Sequence, residues 1–171
     1  MIKAVFVRAC KEMNMPLDLA LAIADTESGL NPNALNIAGR SFNLSRGKAI
    51  QAAQEAQAAG KSFDIGIMQI NCQWLAKFDT DIETAFDILI NIKLGLWILK
   101  QEIAAHGFTW KAVARYHSPD ENRGLAYART VIRRLKPHAS VQLNPARPIP
   151  KNASTPLRVV FTDLHSKGTE P

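Results

Sequence analysis

The sequence predicts a mainly α protein of the α+β class, a compact helical domain with at most a short β element near residues 40–70. Apolar residues recur at helical spacing through most of the first 135 residues. Asn, Gly and Pro separate these stretches, as is typical of turns between helices. The 171 residues are 47% apolar, which is enough for a hydrophobic core and excludes a disordered or collagen-like polypeptide.

Two helices are predicted at the start of the chain, over residues 2–13 and from Pro16 to about Glu27. The first carries apolar residues at helical spacing, namely Ile2, Val5, Phe6, Ala9 and Met13. Proline is favoured in the first turn of a helix, where its missing N–H has no helical partner, so Pro16 suits the start of the second. The pairs Ser28-Gly29 and Asn31-Pro32 end that helix.

The next part of the chain predicts a third helix followed by a segment of undecided type. Residues 31–44 are irregular in pattern and rich in Asn. Ser45 is placed to cap a helix from Arg46 to about Ala59, which is rich in Ala and Gln and is closed by a glycine. Residues 61–71 are mostly apolar and predict either a short strand or a buried turn, because periodicity does not distinguish the two.

The longest helix is predicted from Asp81 to about His106, with Gly107 as its C-terminal stop. Its apolar residues recur on one face, at Ile82, Ala85, Phe86, Leu89, Ile92, Leu96 and Leu99. A glycine inside a helix costs about 1 kcal/mol relative to alanine. We therefore expect Gly95 to lie where two backbones approach closely.

Two shorter helices complete the predicted domain, which spans residues 1–136. One runs from Trp110 to Tyr116 after a Thr109 cap, and the other from about Arg123 to Leu135. Residues 137–171 are predicted to be an extended tail, because prolines fall among polar residues there. The apolar cluster at 159–161 could dock on the domain or on a partner.

The net charge of +6, from 21 basic and 15 acidic residues, favours an anionic partner. Nucleic acid, a membrane surface and a carboxylate-bearing wall polymer all fit. No motif for nucleic-acid binding accompanies the basic residues of the last helix, so nucleic acid is not expected as a partner. No membrane span is expected either, because Lys93 and Lys100 interrupt the longest apolar run before it reaches about 20 residues.

The N-terminal segment and the two cysteines leave alternatives open. Arg8 cuts the first apolar stretch short of a signal peptide, so either the chain is not exported by that route or the numbering begins after a removed leader. Cys10 and Cys72 form one disulfide or stay two separate buried thiols. Two cysteines are too few for a four-ligand zinc site, and no metal or cofactor is expected.

Glu27 is the first candidate for chemistry because of its place on the second predicted helix. Positions 20, 23, 24 and 27 share one helical face, and the first three are Ala20, Ile23 and Ala24. The carboxyl group is therefore predicted to face the core, in the last turn, where the helix dipole is negative. Burial and the dipole both disfavour its ionised form, which suits a general acid. The alternative is a glutamate that meets water at the helix end.

Four sequence blocks follow one another in a characteristic order. Residues 22–36 read Ala-Ile-Ala-Asp-Thr-Glu-Ser-Gly-Leu-Asn-Pro-Asn-Ala-Leu-Asn, and residues 66–71 read Gly-Ile-Met-Gln-Ile-Asn. Asn91-Ile-Lys-Leu-Gly95 with Ile98-Leu99 comes next, and Ala112-Val-Ala-Arg-Tyr-His-Ser118 is the last. Together the blocks resemble the soluble lytic transglycosylase family, whose members have a goose-type-lysozyme-like fold.

The resemblance implies roles for individual residues. Glu27 matches the family's single catalytic acid and base, which protonates the glycosidic oxygen and then takes a proton from the sugar's own 6-hydroxyl. The remaining matches are substrate-binding or cleft residues: Ser28, Met68, Gln69, Asn91 and Tyr116. Core packing is the alternative reading of Met68, and inward packing of the ring is the alternative for Tyr116. The implied product is a 1,6-anhydromuramyl end on a cleaved peptidoglycan strand.

The chain offers few candidates for a second catalytic carboxylate, which ordinary glycoside hydrolysis requires. Asp25 lies two residues from Glu27 on a helix and projects to another side. Asp64 could approach the cleft as a second acid, or it could bond backbone N–H groups of its own loop. With a single carboxylate, attack by the substrate's own hydroxyl is the economical route, because that nucleophile arrives already positioned.

Two departures from the family pattern bear on the setting of the enzyme. Tyr116-His-Ser-Pro119 stands where most relatives have Tyr-Asn-Ala-Gly, with His117 expected to be a neutral structural substitute. The long segment 37–64 resembles the transglycosylases of secretion and conjugation systems. The resemblance therefore implies a periplasmic enzyme that opens peptidoglycan for such an apparatus, with the tail as a tether to its subunits. The alternatives are a non-catalytic glycan-binding assembly module and a phage wall-opening enzyme.

Overall fold

The computed structural model describes residues 1–135, which form eight helices and a small four-stranded antiparallel sheet. This arrangement confirms the predicted mainly α class. The boundary predicted at residue 136, the tail and its apolar cluster lie outside the described residues. The helices are α1 (Ile2–Met13), α2 (Leu17–Ser28), α3 (Arg46–Ala58), α4 (Cys72–Lys77), α5 (Ile82–Ala85), α6 (Ile88–His106), α7 (Trp110–His117) and α8 (Glu121–Arg134). The strands are β1 (Leu35–Ile37), β2 (Arg40–Phe42), β3 (Phe63–Ile65) and β4 (Ile70–Asn71).

The ends of the helices follow from local backbone chemistry. Gly29 ends α2 in the left-handed conformation, with φ of 61°, and its N–H bonds to the carbonyl of Asp25. The Thr109 hydroxyl accepts the N–H of Ala112 at the start of α7, as its sequence position predicts. Ser45 precedes α3 as predicted, but its side chain makes no capping hydrogen bond.

The predicted long helix over 81–106 is wrong in one respect, because the chain forms two helices there. α5 ends at Ala85, and the side chain of Asp87 accepts the N–H of Ile90 to begin α6. The Arg46 guanidinium donates to the carbonyls of Phe86 (3.1 Å) and Glu83 (3.2 Å), which ties α3 to this break. An aspartate cap inside an apolar run is a helix start that hydrophobic spacing alone conceals.

Helix α6 is the centre of the core, with Ile92, Leu96 and Leu99 fully buried. It packs against α1 and α7. A Cβ atom on Gly95 would lie 2.8 Å from the Cβ of Met68, so the glycine does mark a close approach. The approaching group is the Met68 side chain and not the second backbone that we expected.

The sheet has strand order β2-β1-β3-β4, and every pair is antiparallel. It accounts for the predicted short β element and begins slightly earlier, at Leu35. Helix α4 follows β4 directly, with Asn71 as a cap that accepts the N–H of Gln73. The sequence pattern did not predict this helix, because six residues are too few to show helical periodicity.

The last two helices form a pair that lies against the end of α2. A Cβ atom on Gly124 of α8 would lie 2.9 Å from the Ala114 carbonyl oxygen of α7, so glycine allows this close packing. Arg134 bonds to both the carboxylate (2.6 Å) and the backbone carbonyl (2.8 Å) of Asp25 on α2. These contacts fix α7 and α8 beside the helix end that carries Glu27.

Cys10 and Cys72 are both free thiols, as the second of the two expected alternatives has it, but only Cys10 is buried and Cys72 is partly exposed. Burial raises the pKa of the Cys10 thiol to about 11. Within residues 1–135, no helix combines the length and apolar character needed to cross a bilayer.

Candidate active site

A cleft of about 620 Å³ separates the ends of α2, α7 and α8 from the four-stranded sheet. The helical wall carries carboxyl, imidazole and phenol groups, whereas the sheet wall carries two amides, one hydroxyl and one carboxyl group. Its lining residues are Thr26, Glu27, Asn36, Ser41, Asp64, Gln69, Ile70, Asn71, Gln73, Trp74, Ile98, Tyr116, His117, Pro119 and Tyr127.

Glu27 lies in the last turn of α2, on the face that the helical spacing predicts. Ala20, Ile23 and Ala24 on that face are fully buried or nearly so. The Glu27 side chain is 12% exposed, and it opens into the cleft instead of the core. The Nδ1 atom of His117 lies 3.9 Å from its Oε1 atom. The carboxyl group is thus largely withdrawn from water but accessible to a bound ligand.

Ser28 connects the end of α2 to the turn before β4 and does not line the cleft. Its hydroxyl donates to the carbonyl of Ile67 (2.8 Å) and accepts the N–H of Asn31 (3.1 Å). These bonds fix the distance between Glu27 on the helix and the Gly-Ile-Met-Gln turn. The geometry therefore gives Ser28 a supporting role next to the acid.

Gln69 lines the cleft on a turn with unusual backbone angles. Gly66 has φ of 77° and Gln69 has φ of 47°, both in the left-handed region. The Gln69 amide group donates to the carbonyls of Gly66 (2.9 Å) and Ala34 (3.3 Å), which holds the turn against the start of β1. Its position at the cleft surface leaves it able to contact a ligand.

Met68 and Asn91, two of the expected glycan contacts, lie beneath the cleft surface. Met68 has no exposed surface, and its side chain packs on Gly95. Asn91 is 1% exposed, accepts the N–H of Met68 (2.8 Å), and donates to the carbonyls of Ile65 (3.1 Å) and Ala85 (2.8 Å). Neither side chain has a surface that a ligand can reach, so both support the turn from below.

Tyr116 projects from α7 across the cleft to the same turn. Its hydroxyl donates to the carbonyl of Met68 at 3.1 Å. Burial, and then the charge of Glu27, raise the pKa of Tyr116 well above its usual range. The phenol is therefore neutral at every physiological pH and remains a hydrogen-bond donor close to the acid.

Tyr127 on α8 is a cleft residue that the sequence reasoning missed. Its hydroxyl is buried near the Glu27 carboxylate, yet it makes no well-formed hydrogen bond to any of residues 1–135. Burial raises its pKa far above the usual range, with the charge of Glu27 adding to the effect. The His117 ring stacks on the Tyr127 ring, with centroids 4.4 Å apart. A phenol on the apolar face of α8 is the sequence signal that could have predicted this residue, just as a carboxyl group on the apolar face of α2 indicated Glu27.

Asp64 on β3 is the second carboxylate of the cleft lining. Its Oδ1 atom accepts from the Asn71 amide at 2.8 Å. Burial raises the pKa of Asp64, while the Asn71 hydrogen bond and the charge of His117 partly oppose that rise. Across the described part of the chain, no three His, Cys, Asp or Glu side chains gather where they could hold a metal ion.

Comparison with known proteins agrees with this geometry. The transglycosylase SLT domain family matches residues 4–129. The type IV secretion system protein virB1 of Brucella abortus and that of Brucella suis are each 35% identical to the chain over 99 residues. That stretch is 56% of this chain and 41% of each relative, so the chain spans less than half the length of these proteins. No solved structure matches. The family match covers most of the sequence and all four blocks, and the chain therefore belongs to the transglycosylase SLT domain family.

Proposed function

We propose that this protein is a peptidoglycan lytic transglycosylase that cleaves the β-1,4 bond between N-acetylmuramic acid and N-acetylglucosamine. The observation that carries the proposal is the position of Glu27, a mostly buried carboxyl at the base of an open cleft. A polysaccharide needs such a groove, and a glycosidic oxygen needs a proton donor within it. Membership of the family makes this the most economical reading of the site.

In the first step, the Glu27 carboxyl group donates its proton to the glycosidic oxygen. The bond between the muramyl C1 atom and that oxygen breaks, and the N-acetylglucosamine side leaves with a new hydroxyl group. Glu27 becomes a carboxylate while positive charge develops on the muramyl ring. Partial burial strengthens the attraction between that carboxylate and the charged ring.

In the second step, the Glu27 carboxylate removes the proton from the 6-hydroxyl of the same muramyl residue. The freed oxygen attacks C1 and closes a 1,6-anhydro ring. Glu27 recovers its proton, and no water is consumed. An intramolecular nucleophile needs only correct orientation, so a second carboxylate to activate water is unnecessary.

Tyr116 and Tyr127 support the acid in this scheme. Both phenols are neutral donors, and each lies close enough to Glu27 for its charge to raise their pKa values. The Tyr127 hydroxyl, which lacks a well-formed partner among residues 1–135, is placed to stabilise the carboxylate once Glu27 has released its proton. His117 holds the Tyr127 ring by stacking on it.

Hydrolysis is the second candidate reaction, and one observation favours it. Asp64 lines the same cleft as Glu27, so the site contains the two carboxyl groups that a hydrolase uses. In that case Asp64 assists the attack of a water molecule, and the product carries an ordinary reducing end. The two reactions differ by one water in the mass of the muramyl product.

The setting that we propose is the periplasm, where the enzyme opens the wall for a type IV secretion or conjugation apparatus. The proposal draws on the name of the Brucella relatives and on their 35% identity to the chain over 99 residues. Peptidoglycan glycan strands are the proposed substrate, and subunits of the apparatus are the proposed partners. A phage wall-opening enzyme would carry out the same chemistry in a different setting.

The test of catalysis is digestion of purified sacculi by the full chain and by Glu27→Gln. We expect the unchanged chain to release muropeptides with 1,6-anhydro ends and Glu27→Gln to release none. Glu55→Gln is the matched control, because Glu55 lies on the exposed side of α3 and outside the cleft. A chain that binds sacculi but releases nothing would instead support a non-catalytic assembly module.

A further inference from the structure

The imidazole of His117 lies beside the Glu27 carboxyl, with its Nδ1 atom 3.9 Å from the Oε1 atom of Glu27. Both side chains line the cleft. Of the cleft-lining side chains in residues 1–135, only that of His117 can carry a positive charge, because no Lys or Arg is among them. The charge of this one ring therefore decides whether the acid has a cation next to it.

The groups that face His117 across the cleft are acidic or neutral. The charge of His117 lowers the pKa of Asp64 on β3, against the larger and opposite effect of burial. On α8 the Tyr127 ring stacks on the imidazole, with centroids 4.4 Å apart and an interplanar angle of 1°. Tyr116 and Tyr127 stay neutral, because burial raises their pKa values well above the usual range. Arg115, the other cation in the last turn of α7, donates to a backbone carbonyl (2.8 Å) and does not line the cleft.

The place of His117 in the fold lets it take up a proton without any rearrangement. Histidine is the side chain that gains its charge between pH 5 and 8. His117 is the last residue of α7, where the negative end of the helix dipole favours a cation. Its side chain is 44% exposed, so water can deliver the proton. The stacked Tyr127 ring holds the imidazole in the same plane whether it is neutral or charged.

A positive charge on His117 works against the acid in two ways. The imidazolium attracts the Glu27 carboxylate and so favours the form of Glu27 that has no proton to donate. It also repels the positive charge that develops on the muramyl ring, which the Glu27 carboxylate would otherwise stabilise. A neutral imidazole has neither effect.

We propose that His117 is a positioning residue that sets the acid limit of catalysis: its neutral ring leaves the proton on Glu27, and its imidazolium form pairs with the Glu27 carboxylate and slows cleavage. The inference rests on the proposed function, because it takes Glu27 to be the acid. The attraction should favour the ion pair by about fivefold or more, which is its strength for two unit charges about 4 Å apart in water.

The activity test compares initial rates of sacculus digestion at about pH 5.5 and about pH 7.5, on either side of the ordinary histidine range. His117→Phe keeps a ring to stack on Tyr127 but cannot take up a proton, and His117→Asn keeps a polar group without a ring. We expect both variants to raise the ratio of the rate at the lower pH to the rate at the higher pH by roughly fivefold. The matched control is His106→Asn, which removes a histidine 3.5 Å from Glu102 on α6, outside the cleft, and should leave the ratio unchanged.

The shape of the pH profile separates the charge of His117 from its stacking. If both variants keep the parent's ratio, the inference is overturned. It is also overturned if only His117→Asn changes the ratio, because His117→Phe lacks the charge as well and differs by keeping the stacked ring.

An NMR titration of the histidine ring protons tests the same coupling without any need for activity. Replacing Glu27 by Gln should lower the midpoint pH of the His117 titration by about 0.7 pH units or more, which corresponds to the loss of a fivefold attraction. The His106 midpoint should stay in place. An unchanged His117 midpoint would overturn the inference. If no chain digests sacculi but the His117 midpoint moves, the proposed function fails and the control of Glu27 by His117 stands.

Discussion

Replacement of Asn91 by alanine should cost a large part of the protein's stability. The Asn91 side chain makes three buried hydrogen bonds, to the N–H of Met68 and to the carbonyls of Ile65 and Ala85. Each group left without a partner in the interior costs roughly 1–3 kcal/mol. Even at the lower bound the three together come to about 3 kcal/mol, a large part of the ~5–15 kcal/mol that stabilises a typical domain.

Urea unfolding followed by circular dichroism measures this loss directly. Asn43→Ala is the control, because Asn43 is exposed and its side chain makes no hydrogen bond to the other described residues. We expect the control to change the free energy of unfolding by less than about 0.5 kcal/mol. A loss below about 1 kcal/mol in Asn91→Ala would show that these three hydrogen bonds do not stabilise the turn beneath the cleft.

Three further predictions concern the cleft and the core beneath it. Tyr127→Phe should stabilise the protein by about 1 kcal/mol in the same urea assay, because it removes a buried hydroxyl without a well-formed partner. The same variant should lower the rate of sacculus digestion by about tenfold or more. A Tyr127→Phe variant with full activity would contradict the proposal that Tyr127 supports Glu27. Burial raises the pKa of Asp64, so the folded protein favours the protonated carboxyl and loses stability as pH rises through that pKa. Asp64→Asn has no charge to bury and should therefore raise the melting temperature at pH 7. The gain should disappear when pH falls below the usual carboxyl range near 4, and a gain that persists there would implicate a cause other than charge. Gly95→Ala should lose about 1 kcal/mol, since overpacking against Met68 outweighs the better helix propensity, and equal or greater stability would show that Met68 can move.

The sequence allowed the helical part of the fold to be predicted because each long helix has its own apolar face and its own stop signal. α1 begins and ends where residues 2–13 predicted, and α2 is displaced by one residue at each end. The prediction failed where two signals overlapped. In the segment 81–106, the apolar spacing continued across the break at Phe86 and concealed the cap that Asp87 forms.

The sheet was harder to predict because its strands are only two or three residues long. Alternation over so few residues cannot be told from chance, and the register depends on contacts between segments distant in sequence. The lateral alignment of polar residues from different strands is visible only once that register is known. Asn36, Asp64 and Asn71 carry no shared spacing along the chain that would reveal their alignment across the sheet.

The residues of the candidate site also include some that the sequence predicted correctly and others whose position only the structure shows. Helical geometry made Glu27 a candidate, because a carboxyl group on an apolar face is unusual, and the family resemblance then assigned it as the acid. Met68 and Asn91 were identified through the family resemblance, and the fold shows that their side chains support the turn from below the cleft. Sequence position places a residue near a site but does not say whether its side chain reaches the surface.

We propose that Glu27 cleaves the glycan with the substrate's own hydroxyl as nucleophile. The most direct test is to digest sacculi with the full chain in water enriched in ¹⁸O and to weigh the released muropeptides. We expect muramyl ends that are one water lighter than a hydrolysis product and free of ¹⁸O. Ends that carry ¹⁸O and the mass of a full water would contradict it and assign the site to hydrolysis, with Asp64 as the second carboxylate.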